Sequence, residues 1–136
     1  MKYILELNEQ QLKAIQIACE FYSRFCAGQW VIPDEMQFKE YDIQDKCDGF
    51  WNKRNYVEEQ MLILKQHFTG MHLHESYGIG SDKLCEGAKV CYDIYRPILE
   101  QFAKEYNEKN PDRTGFSVYD SPGLSYSKQG RITLKQ

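Results

Sequence analysis

The chain has 136 residues, a formal net charge of −3, 42% hydrophobic and 27% charged residues. That is the balance of one ordinary globular domain over residues 1–136, large enough to form a core without disulfide or metal staples. No basic run is present, which argues against a nucleic-acid polymer as partner, although a small nucleotide needs only one or two Arg or Lys.

Met1 to Leu7 is too short and too polar for a secretion signal, and no apolar run approaches the roughly 18 residues of a membrane span, so no membrane association and a cytoplasmic setting are expected. Cys19, Cys26, Cys47, Cys85 and Cys91 form an odd, scattered set without a C-x-x-C pair, which reads as reduced thiols, several of them buried.

In chain order, Lys2-Tyr3-Ile4-Leu5-Glu6-Leu7 is a β-like run. Asn8 suits a helix N-cap, with Gln11 placed to complete a capping box. Leu12, Ile15, Cys19, Tyr22 and Cys26 then recur at steps of 3, 4, 3 and 4, one face of a helix that Gly28 would end. Residues 31–55 are the least legible: Pro33-Asp34-Glu35 suits a short helix start and Cys47-Asp48-Gly49 a turn. Val57, Met61, Leu64 and Phe68 predict a second helix over about 54–68, stopped by Thr69-Gly70.

Ser81 or Asp82 is placed to cap a third helix with the stripe Leu84, Ala88, Cys91, Tyr95, Ile98, Phe102 and Tyr106, kinked or split at Pro97. Residues 116–119 alternate as a strand would, and Arg131-Ile132-Thr133-Leu134 reads as a last short strand. The expected fold is therefore α+β, three main helices packed with a small antiparallel sheet from the N- and C-terminal strands. So small a sheet has exposed edges, which self-association would cover.

Candidate chemistry centres on the loop His74-Glu75-Ser76-Tyr77-Gly78-Ile79-Gly80-Ser81-Asp82, because a glycine-bearing loop feeding a helix start suits an anion. Phe21 and Arg24 share a helix face, an aromatic and a guanidinium suited to a base and a phosphate; the plainer alternative is a surface arginine over core aromatics. Asp93 and Arg96 share a face in the same way, with a solvated ion pair as the alternative. His72-x-His74, with His67 and Cys85 near in sequence, falls short of a zinc set, and Cys85 lacks a Cys-His signature, so neither a metal nor a catalytic residue is expected. Gly78-x-Gly80 lacks the third glycine of a dinucleotide fingerprint.

Four stretches carry a resemblance. Phe21-Tyr22-Ser23-Arg24 running to Gly28-Gln29, then Ser76-Tyr77-Gly78-Ile79, then Ala88-Lys89-Val90-Cys91-Tyr92-Asp93-Ile94-Tyr95, together with the tail Gly115-Phe116-Ser117-Val118-Tyr119-Asp120-x-Pro122, resemble the type I anti-Thoeris phage proteins. The match covers about two thirds of the chain and is absent from residues 31–55.

The resemblance implies a non-enzymatic, cofactor-free sponge in the cytoplasm of an infected bacterium. It would bind glycocyclic ADP-ribose, the messenger of a TIR-domain enzyme, in a pocket between subunits of a homodimer or hexamer, with cyclic oligonucleotides as further ligands. It assigns ligand contacts to Phe21, Arg24, Gln29, Ser76, Tyr77, Gly78, Ile79, Asp93 and Arg96. The chain departs from the pattern at His74-Glu75, where Asn and a small residue are expected, at Lys89, where Arg is usual, and at Pro97. The alternatives are an enzyme that degrades cyclic nucleotides through the histidines at 67–74, and an inhibitor that binds a host protein.

Overall fold

The computed structural model describes residues 3–30 and 48–135. Three helices account for its regular structure: α1 (Glu9–Cys26), α2 (Asp48–Thr69) and α3 (Glu86–Lys109). Among the described residues there is no strand, so the fold is all-α and the expected α+β arrangement is overturned.

α1 begins where its capping chemistry dictates. The Asn8 carboxamide oxygen accepts the Gln11 N–H at 2.9 Å, and the Gln11 side chain accepts the Asn8 N–H at 2.9 Å. It ends at Cys26, and Gly28, at a φ of +85°, lets the chain turn back so that Gln29 N–H reaches the Arg24 carbonyl at 2.9 Å.

α1 packs on α3. Lys13, early in α1, lies over the Phe102 ring late in α3, while Tyr22, late in α1, meets Gly87 early in α3, so the two run antiparallel. The centre of the contact is small: Ala27, Leu84 and Ala88 are buried, with Cys26 and Ile79 packed against them. The two most buried side chains of α1 are polar, Gln16 and Ser23, and Gln16 is satisfied by Lys13 at 2.8 Å and Glu20 at 2.5 Å.

α2 begins at Asp48, earlier than its apolar spacing indicates, so Asp48-Gly49 opens a helix instead of marking a turn. It stops at Thr69, before Gly70 at φ +71°. The expected helix start at Pro33 lies outside the described residues. The last turns of α2 are held by Lys65, whose side chain is 1% exposed. Its ammonium donates to the carbonyls of Gly28 at 3.2 Å, Leu73 at 2.5 Å and Glu75 at 2.8 Å, which matches its three protons to three acceptors.

The segments read as strands form no ladder. Residues 3–7 carry no regular structure and are exposed, with Ile4 at 96%. The C-terminal coil is bonded to α3 instead: the Val118 carbonyl accepts from Arg96, the Ile132 N–H donates to the Asp93 carbonyl, Tyr126 and Ser127 N–H donate to the Asp93 carboxylate, and Gly123 N–H donates to Glu100.

Pro97 is the hinge of this arrangement. α3 runs through it unbroken. With no N–H at 97, the Asp93 carbonyl has no helical donor, and it accepts the Ile132 N–H of the coil at 3.2 Å. Pro97→Ala returns a competing donor to that carbonyl. Hydrogen exchange of the Ile132 amide is expected to quicken by roughly tenfold, the worth of one net hydrogen bond, while α3 itself becomes no less stable.

Candidate ligand-binding site

The end of α1 presents a fixed guanidinium. Arg24 Nε donates to Glu20 Oε1 at 2.9 Å and its Nη1 to Gln29 Oε1 at 2.9 Å, so a carboxylate and a carboxamide hold the group while 47% of the side chain stays exposed. Burial works against the Arg24 charge, but Glu20 more than compensates and keeps it firmly protonated. The guanidinium is also within electrostatic reach of Tyr95 and Tyr119.

An aromatic row starts beside it. Phe21 and Phe25 have ring centres 5.6 Å apart, Phe25 stacks on Trp30 at 4.1 Å, and Trp30 faces Phe68 at 6.3 Å. Trp30 Nε1 donates to the Phe25 carbonyl at 3.1 Å, which fixes the indole edge-on to the helix end.

The loop before α3 is tied to this same end. Tyr77 N–H donates to the Ala27 carbonyl at 2.8 Å, and the Lys65 ammonium joins Gly28 to Glu75. Ser76 and Gly78 are exposed, with open space beside Gly78, while Ile79 turns inward onto the core. Lys83 sets its ammonium 5.2 Å from the Tyr77 ring centre, adding a second positive group to the loop. Glu75 turns its carboxylate back to the His72 N–H at 3.0 Å. The helix begins later than expected: Cys85, not Ser81 or Asp82, is the N-cap, and it makes no side-chain cap bond.

Phe21, Arg24, Gln29, Ser76, Tyr77, Gly78 and Ile79 thus fall at one end of the α1–α3 pair. Asp93 and Arg96 sit further along α3 with their polar atoms committed to the C-terminal coil. Asp93, 1% exposed, accepts Ser125 Oγ at 2.9 Å, Ser127 Oγ at 2.6 Å, Ser127 N–H at 2.8 Å and Tyr126 N–H at 3.1 Å. Arg96 donates to Glu100 at 3.0 Å and to the Val118 carbonyl at 2.5 Å, and its guanidinium lies 4.6 Å over the Tyr119 ring. Glu100 then takes Gly123 N–H at 2.7 Å and the Arg131 guanidinium.

These contacts make Asp93 and Arg96 fasteners of the coil. Lys65, Glu100 and Arg131 were not anticipated. Only Glu100, four residues after Arg96 on a helix, left a signal in the spacing.

A groove of about 490 Å³ lies at the far end of α3, lined by Glu100, Lys104, Asn107, Glu108, Tyr119, Asp120, Ser121 and Pro122. Its carboxylates outnumber its single lysine, a poor match to an anionic ligand, and none of the residues anticipated as ligand contacts lines it. His67, His72 and His74 are exposed, and no group of three or more His, Cys, Asp or Glu among the described residues is arranged to hold a metal ion. No helix among those residues is long and apolar enough to cross a membrane. Compared with protein-family models, curated proteins and solved structures, the chain gives no match.

Proposed function

We propose that the protein binds and sequesters a cyclic ADP-ribose-type messenger, glycocyclic ADP-ribose or an isomer, without cleaving it. In this reading it acts as an anti-defence sponge like the type I anti-Thoeris phage proteins it resembles, and silences TIR-dependent Thoeris signalling in the host cytoplasm. The observation that carries the reading is Arg24: an exposed guanidinium held by Glu20 and Gln29, on the same last turns of α1 as Phe21 and Phe25 and on a helix whose end is bonded to the loop with open space at Gly78. A guanidinium offers paired donors to a phosphate, and flat rings suit an adenine. Glu75, the residue most at odds with a pyrophosphate, has its carboxylate occupied by a main-chain N–H.

The ligand site is completed by a second copy of the chain. Ile4, Leu5, Phe116, Val118 and Leu124 are large apolar side chains exposed on the surface of the single chain, and such groups suit burial across a homodimer or hexamer.

A thermal-shift series with cyclic ADP-ribose isomers tests the reading. At a ligand concentration about 100 times Kd, binding adds about 2.7 kcal/mol to stability, a rise in Tm of roughly 10 °C. Chromatography of the ligand after heat release should return it intact; cleaved ligand would identify an enzyme. No shift with any isomer at high micromolar concentration, with capture of a host protein instead, would favour an inhibitor. Arg24→Ala is expected to weaken binding by at least tenfold, and an affinity within twofold of the parent would remove Arg24 from the site.

A further inference from the structure

Lys65 is a buried cation without a buried anion. Its side chain is 1% exposed, and its ammonium commits all three protons to main-chain carbonyls, those of Gly28 at 3.2 Å, Leu73 at 2.5 Å and Glu75 at 2.8 Å. Among the described residues no carboxylate pairs with it.

Each of those carbonyls belongs to a trans peptide, so the N–H of the following residue points away from the ammonium. The following residues are Gln29, His74 and Ser76. Gln29 N–H turns back to the Arg24 carbonyl at 2.9 Å. The N–H groups of His74 and Ser76 have no acceptor among the described residues, and both residues are exposed. A donor at the carbonyl end of a peptide polarises the N–H at its other end, which makes that N–H a stronger donor in turn. The two N–H groups stand two residues apart on one loop, with open space beside Gly78 just after them. Glu75, the carboxylate between them, is engaged by the His72 N–H at 3.0 Å.

We propose that the His74 and Ser76 N–H groups form a phosphoryl-binding cradle, with Lys65 as the buried charge behind it. The proposal rests on the messenger reading above and places one phosphate of the nucleotide's pyrophosphate on this loop. That phosphate is the counter-ion that Lys65 lacks within its own chain. Lys65 does not touch the ligand. It is a positioning residue: it pins two carbonyls inward, aims the paired N–H groups outward, and passes its charge through the peptide planes.

The test uses the full chain, isotopically labelled, titrated with inorganic pyrophosphate at constant ionic strength. The His74 and Ser76 amide protons should move downfield by about 0.3 ppm or more and saturate together, as new charge-assisted hydrogen bonds require, while chloride alone leaves them in place. In the free protein these two amides should exchange with water roughly tenfold faster than in an unfolded peptide, because the ammonium on the carbonyl makes the N–H more acidic. Lys65→Met should weaken pyrophosphate roughly tenfold, the scale of one charge acting across about 8 Å of protein. The two measurements on the parent protein stand even where that variant does not fold. Shifts centred on other amides, ordinary exchange at 74 and 76, or a folded Lys65→Met with the parent's affinity would overturn the proposal. A cyclic ADP-ribose isomer that binds without moving these amides would overturn the cradle and leave the messenger reading standing. Pyrophosphate moving them while no isomer binds would support the cradle and overturn the messenger reading.

Discussion

Lys65→Met is expected to lower the unfolding free energy by about 3–5 kcal/mol, because three inward-facing carbonyls lose their donor at once. The ammonium sits where the end of α1, the end of α2 and the loop at 73–75 converge, and it meets dipoles there, not a carboxylate. Methionine keeps the length of the side chain and offers no proton, so the carbonyls of Gly28, Leu73 and Glu75 are left to find water. Against a typical total of about 5–15 kcal/mol, such a loss is a large fraction of the fold's stability. Denaturant midpoints give the magnitude. Hydrogen exchange gives the location: the Glu75 and Tyr77 amides should lose protection well before those in the middle of α3. A change below about 1 kcal/mol would show that water replaces the ammonium at little cost.

Asp93→Ala is the second large effect, with an expected cost of about 3–4 kcal/mol and release of the C-terminal coil from α3. Four donors from residues 125–127 converge on this carboxylate. The same contacts predict a pH dependence. Burial would raise the Asp93 carboxyl, but hydrogen bonds from the Ser127 hydroxyl and N–H, the Tyr126 N–H and the Ser125 hydroxyl outweigh it and hold the group below its ordinary value.

Asp120 is lowered too, chiefly by the Ser117 N–H and the Asn107 amide. A carboxylate with a depressed folded value stabilises the native state above the ordinary carboxylate range. That contribution is lost as pH falls through the folded value. Acid titration followed at Tyr126 and Ile132 should therefore loosen the coil before the α1–α3 contact melts. In Asp93→Ala this early acid step should be missing. If coil and helices melt together in the parent protein, the carboxylate does not hold the coil.

Local chemistry made parts of the fold legible. Asn8 and Gln11 fixed the start of α1, Gly28 its end, and the stripe from Leu84 to Phe102 the course of α3. The start of α2 was hidden because Lys53 and Arg54 stand one turn before Val57, where the apolar spacing would continue, so the stripe begins well inside the helix. The strands failed for a different reason. Alternation at 116–119 and 131–134 is a real pattern, but a strand needs a partner, and here the Val118 carbonyl bonds to Arg96 and the Ile132 N–H to the Asp93 carbonyl. Spacing paired Asp93 with Arg96 on one helix face, yet each reaches a different part of the coil. Lys65 was illegible: a lysine in a polar helix looks solvated, and its burial depends on a turn and a loop far from it in sequence.

The charged face of α3 also sets what happens when the coil lifts away. Asp93, Arg96 and Glu100 are then hydrated, and the bare α1–α3 pair presents water-loving groups where an apolar face would invite aggregation. On its return the coil replaces that water with its own amides and hydroxyls.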